Sequence, residues 1–181
     1  MTAVDVPAEL EDLEDCLRLL VAERDRLGSR ILERAPTVSG WSAGEHLYHL
    51  CLSTDLALGN VAMLIRGRGA RITFEGEPND LARRVLAEGR YPRGQSEAPR
   101  MVRPPETLEP ELLDLELSRL QDALARIEGE REAIAGARGR IPHQHLGALD
   151  AGEWLRFARL HARHHLGIVR DVAAAVAAVG R

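Results

Sequence analysis

A chain of 181 residues, 45% hydrophobic and 29% charged, is sized and composed for one globular domain with its own apolar core, which argues against a disordered tract or a pair of domains. Its formal net charge of −4 leaves no positive excess to neutralise a phosphate backbone, so no nucleic-acid partner is expected. Aromatic residues make up only 3%, and the apolar material is Leu, Ala and Val beside Glu and Arg, a mixture that favours helices over strands.

From Ala8 to about Arg34 the residues Leu10, Leu13, Leu17, Leu20, Leu27 and Ile31 recur at three- and four-residue steps, which predicts a first helix ended by Pro36. Ser42 and Glu45 then stand at capping-box spacing and open a second helix that runs to about Arg66, before Gly67-Arg68-Gly69. Between Ala70 and Thr107 the chain is rich in Pro and Gly, with Pro78, Pro92, Pro99, Pro104 and Pro105, and one short helix is expected near Asn79 to Glu88. A connection of that length has two readings, the wall or lid of a site and a plain crossover between distant helix ends. A third helix is predicted from about Leu108 to Ala135 on the stripe Leu112, Leu113, Leu117, Leu120, Leu124 and Ile127. Asp150 and Glu153 repeat the capping-box spacing and open a fourth, which continues to about Val179 before Gly180. Short connections at one-two and three-four with a long one at two-three define an all-α fold, a four-helix bundle with a long crossover between helices two and three.

No uninterrupted apolar run approaches the roughly 18 residues of a membrane span, and the acidic N-terminus lacks the apolar stretch of a secretion signal. Cys16 and Cys51 both fall inside helical apolar patterns, where a thiol behaves as a small hydrophobe. No membrane partner and a cytoplasmic location are therefore expected.

The fourth helix carries the chemistry. Read as a heptad seam, one core position takes Trp154, His161, Ile168 and Ala175, and the other takes Ala158, His165, Val172 and Val179. Two histidines occupy positions where leucines belong, one turn apart on one face, which is the separation that lets two imidazoles reach one ion. On the second helix His49 shares its face with Leu52, Leu56 and Met63, so three core-directed histidines from two helices form the protein half of an open metal site. His46 is rotated about 60° to the other side of His49 and is less well aimed. His164 is expected at the flank of the seam, and His143 and His145 in a solvated or capping loop. Glu45 has two readings, a helix cap and a base beside a metal-bound water, and Tyr48 is a candidate acid or hydroxyl donor if its ring reaches the cleft. Trp41 and Trp154 are expected to pack the bundle end.

The segment from Trp41 to Leu50 resembles the W-S-x-x-E-x-L-x-H-L signature of the DinB-like superfamily, which includes the YfiT-type metal-dependent hydrolases. Trp154 to Phe157, followed by His161 and His165, is similar to that family's second signature, an H-x-x-x-H on the last helix. The resemblance implies that His49, His161 and His165 are the metal ligands and that the ion is zinc or nickel. It also implies frequent homodimers and a functional range that includes thiol transferases using bacillithiol or mycothiol. The reading that follows is a metal-dependent hydrolase or thiol S-transferase that activates water or a low-molecular-weight thiol against a small electrophilic substrate. Two alternatives stand beside it: a non-catalytic metal-binding or stress-response bundle, and a bundle with a metal-free polar core.

Overall fold

The structure is a computed structural model that describes residues 4–91 and 97–179, so Pro92 and Gly180 lie outside the described residues. Asp5 caps α1 (Val6–Leu27) by accepting the Ala8 N–H at 3.2 Å, and a proline sits in the first turn, where no N–H is needed. The helix ends well before Arg34, because Gly28 takes a φ of 52° that an α-helix interior does not allow, and a 3-10 turn (Gly28–Leu32) follows. Ser42 and Glu45 exchange both bonds of a capping box at the start of α2 (Ala43–Arg66), and Gly67 closes that helix in the left-handed conformation. Within the crossover, Asn79 caps the expected short helix α3 (Asp80–Glu88), and a 3-10 turn covers Arg100–Val102.

The predicted third helix divides into α4 (Pro110–Glu128) and α5 (Arg131–Gly136). Glu130 folds its N–H back to the Ile127 carbonyl at 2.9 Å, and the new axis carries Ile134 into the core. Two short antiparallel strands that the sequence did not announce, β1 (Ile141–His143) and β2 (Gly147–Leu149), precede α6 (Ala151–Val179). The Asp150 and Glu153 capping box opens α6 as expected, with both bonds at 2.9 Å.

The central helix α2 packs against both α6 and α4, and α1 lies along α6. Their shared core is built on leucine, with Leu13, Leu20, Leu47, Leu50, Leu58, Leu113, Leu120 and Leu155 essentially inaccessible. Each such side chain contributes roughly 1.5–3 kcal/mol on removal from water. A buried ion pair fixes α1 on α6, since Arg159 donates through Nε to Glu9 at 2.7 Å. By length and composition α2 is apolar enough to cross a membrane, but its apolar surface is spent on α4 and α6.

The crossover is fastened at several points. Thr73 and Arg140 exchange backbone bonds of 2.8 and 2.7 Å, Asn79 N–H donates to the Leu146 carbonyl at 2.9 Å, and the Asn79 side-chain amide donates to the His145 carbonyl at 2.8 Å. Gly147 makes the approach possible: at φ 79° any Cβ there would lie 2.4 Å from the Glu77 carbonyl oxygen. The strap is thereby held against the hairpin that leads into α6.

Candidate metal centre

The capping box that starts α2 sets the rotation of the helix so that His46, His49 and Ser53 face α6. On α6, Trp154, Phe157, His161 and His165 follow one another at three- and four-residue steps along the facing side. Trp154 anchors that row by donating its indole N–H to the Ile141 carbonyl at 3.2 Å, and the Phe157 ring stacks on His161 at 5.4 Å between centroids.

His49, His161 and His165 meet where the two faces touch. One ring nitrogen from each lies within 4.8 Å of the others, below the surface, and His161 is the most exposed of the three. The Nε2 atoms of His161 and His165 are 3.1 Å apart. Two imidazoles at metal–nitrogen distances near 2.05 Å are separated by about 2.9 Å in octahedral and about 3.4 Å in tetrahedral geometry, so the spacing is compatible with two ligands to one ion, as it is with an N–H···N hydrogen bond between the rings.

The outer nitrogens settle which lone pairs face inward. His49 Nδ1 lies 2.8 Å from the Val102 carbonyl, an acceptor only, so the ring carries its proton there and turns the Nε2 lone pair into the cluster. The Ser53 hydroxyl lies 3.2 Å from both the Leu50 carbonyl and His161 Nδ1; with its proton on the Leu50 carbonyl, its oxygen accepts from His161 Nδ1 and the His161 Nε2 lone pair faces inward as well. A single proton on His165 Nε2 can serve only one of these two lone pairs. A divalent cation could engage one lone pair from each of the three rings at once. Burial pushes His49 down, with the Val102 carbonyl acting the other way, and burial followed by the neighbouring imidazoles pushes His161 and His165 far below the ordinary histidine range. The triad is neutral at physiological pH, the form in which imidazole binds metal.

Glu45 and Tyr48 are placed elsewhere. The Glu45 carboxylate accepts the Ser42 N–H at 2.7 Å and pairs with Arg34. Burial raises its pKa, and the Arg34 and Ser42 bonds outweigh that and hold it below the usual carboxylate value. Tyr48 is raised by burial and by Glu116 of α4, the side of α2 turned away from α6.

Of the two expectations for His143 the capping one holds, since its Nδ1 accepts the His145 N–H at 3.0 Å, and the residue is half-buried and not solvated. It sits on β1 with its ring 4.7 Å from Phe157 and 5.2 Å from Trp154, and burial, then His145, pushes it down to about 4. His145 is exposed, as expected, and His164 flanks the seam with its ring 5.2 Å from His165. Trp41 packs on the cluster itself, 5.3 Å from the rings of both His46 and His49. Two parts of the crossover also reach it, Val102 through its carbonyl and Tyr91, whose ring lies 5.8 Å from His161. Sequence reasoning missed Ser53, although it stands one turn after His49 on the same face, and nothing in the sequence marks the Val102 carbonyl.

A helical bundle with a buried three-histidine cluster between two of its long helices is the class these observations define. Over residues 12–169 the chain matches the DinB superfamily, and it belongs to that superfamily. No curated protein and no solved structure matches it.

Proposed function

We propose that His49, His161 and His165 hold one divalent metal ion, zinc or nickel, and that the protein is a metal-dependent enzyme acting on a small electrophile with water or a low-molecular-weight thiol as nucleophile. The observation that carries this reading is the convergence of the three ring nitrogens within 4.8 Å, two of them with lone pairs turned inward by the Val102 carbonyl and the Ser53 hydroxyl. Three protein ligands leave at least one coordination position, and an ion there supplies the Lewis acidity that lets water or a thiol give up its proton near neutral pH. Imidazole ligands suit zinc and nickel alike. The wall of the cluster comes from the crossover, through Val102 and Tyr91, which supports reading that segment as part of a substrate opening. Glu45 is committed to its cap and Arg34, so no side-chain base is assigned.

Elemental analysis of protein purified without a metal-affinity tag should find about one zinc or nickel per chain. His161→Ala should abolish uptake and still give a helical, cooperatively folding bundle. Undiminished metal content in that variant would mean that the ligands are other residues. The loaded protein should accelerate conjugation of bacillithiol, mycothiol or glutathione to an electrophile, or hydrolysis of an activated ester or amide, and His165→Ala should lose the rate together with the metal. Metal uptake with no rate above the metal-free control across that panel would leave a non-catalytic metal-binding bundle.

A further inference from the structure

His46 belongs to no part of the site described so far, yet it is buried and its Nδ1 lies 3.2 Å from Nδ1 of His165. Its other nitrogen, Nε2, lies 2.8 Å from the Ser39 hydroxyl. Ser39 is itself fixed, since its N–H donates to the Ala35 carbonyl at 3.0 Å and its hydroxyl oxygen accepts the Trp41 N–H at 3.1 Å. The chain Ser39–His46–His165 therefore runs from a tight turn to the inner face of α6.

We infer that His46 is a positioning residue for His165: it accepts the His165 Nδ1 proton, passes its own proton's hydrogen bond to Ser39, and so aims the His165 Nε2 lone pair at His49 and His161. This rests on the metal-binding reading and deepens it. The geometry admits two proton arrangements. In one, the Ser39 hydroxyl donates to His46 Nε2, His46 Nδ1–H donates to His165 Nδ1, and His165 Nε2–H donates to His161 Nε2 at 3.1 Å. In the other, His165 Nδ1–H donates to His46 Nδ1, and His46 Nε2–H donates to the Ser39 oxygen. Both carry one proton on each ring and one on the hydroxyl, so His165 becomes a ligand with no net loss of a proton and no unpaired N–H in the core. His49 and His161 have oxygen partners on their outer nitrogens, the Val102 carbonyl and the Ser53 hydroxyl. His165 is oriented by an imidazole, which can exchange donor for acceptor along a chain that ends at Ser39. His46 Nδ1 meets the outer nitrogen of His165, on the side away from the triad, so its role is to orient a ligand.

The test compares zinc affinity, measured by competition with a chromophoric chelator, in the whole protein and two variants. His46→Leu keeps bulk and loses the acceptor; His46→Asn keeps an oxygen where Nδ1 stands. Removing such an outer partner typically weakens binding by about 10–100-fold. We expect a loss in that range for His46→Leu and recovery of most of it in His46→Asn. Long-range nitrogen-15 NMR of the zinc-loaded wild type should show His165 protonated at Nδ1 and His46 at Nε2, and this measurement decides the matter even if His46→Leu does not fold. Unchanged zinc affinity in folded His46→Leu, or a His46 proton on Nδ1 in the loaded protein, overturns the inference and leaves the triad standing. A wild type that takes up neither zinc nor nickel overturns the triad and this inference together.

Discussion

The ring of His143 is held neutral by burial against Trp154 and Phe157, and that neutrality has a cost that depends on pH. Its folded pKa is near 4, below the 6.5 of an unfolded histidine. Between those values the unfolded chain takes up a proton that the folded one refuses, so stability rises with pH across the window, is complete above about 6.5 and is lost as pH falls toward 4. The slope is about 1.4 kcal/mol per pH unit for each such ring. Urea melts of metal-free protein from pH 7 to pH 4.5 should show the midpoint falling below pH 6.5, and His143→Leu should fall less steeply. Parallel slopes in the two proteins would show that His143 has no share in the effect. The same burial makes histidines informative in the sequence. His161 and His165 stood at heptad core positions and His49 on an apolar helix face, and the structure brings all three together. Helical phase alone aims His46 less well than His49, but an imidazole is long enough to cross about 60° of helix surface when its partner stands on the facing helix. Glu45 was legible as a cap because the capping box is a local motif with fixed spacing, and the Arg34 contact that completes its surroundings comes from outside α2, where no spacing rule reaches.

Helix starts were legible and helix ends less so, for a physical reason. Ser42, Asn79 and Asp150 announce their helices because a side-chain acceptor must sit beside free N–H groups, whereas Gly28 and Gly129 look in sequence like tolerated interior glycines. The hairpin of β1 and β2 escaped notice because strands of three residues are too short to display alternation. Its existence depends on Gly147, where the backbone of the crossover comes so close that a methyl group would strike the Glu77 carbonyl oxygen at 2.4 Å and the Asn79 nitrogen at 2.9 Å, at a φ of 79°. Gly147→Ala should therefore cost about 1–3 kcal/mol. Gly59 is the control, exposed in the middle of α2 with nothing within 4 Å of an added Cβ, and Gly59→Ala should stabilise by about 0.5–1 kcal/mol. Thermal melts should move in opposite directions for the two variants. A Gly147→Ala protein as stable as wild type would mean that the strap is not fastened at this point.

The triad joins α2 to α6, but leucine and valine already hold those helices together, through Leu47, Leu50, Leu58, Leu155 and Val169, each at most 1% exposed. That distinguishes this bundle from small metal domains in which the ion replaces a core and chelation unfolds the chain. Chelated protein should keep its helical circular dichroism and melt in one cooperative transition. The ion should nevertheless add stability by mass action, because the unfolded chain scatters the three ligands along 117 positions between residues 49 and 165 and offers no assembled site. At free zinc 100 times the dissociation constant the gain is about 2.7 kcal/mol. For a domain of this size each kcal/mol moves the midpoint by about 2–4 °C, so zinc should raise it by roughly 5–11 °C. His161→Ala should show no zinc-dependent rise, and His46→Leu should need about 10–100 times more zinc for the same rise. Loss of helicity on chelation would assign the ion a structural role in the bundle, and a melting temperature indifferent to zinc in the wild type would mean that the three nitrogens are held together by the core alone.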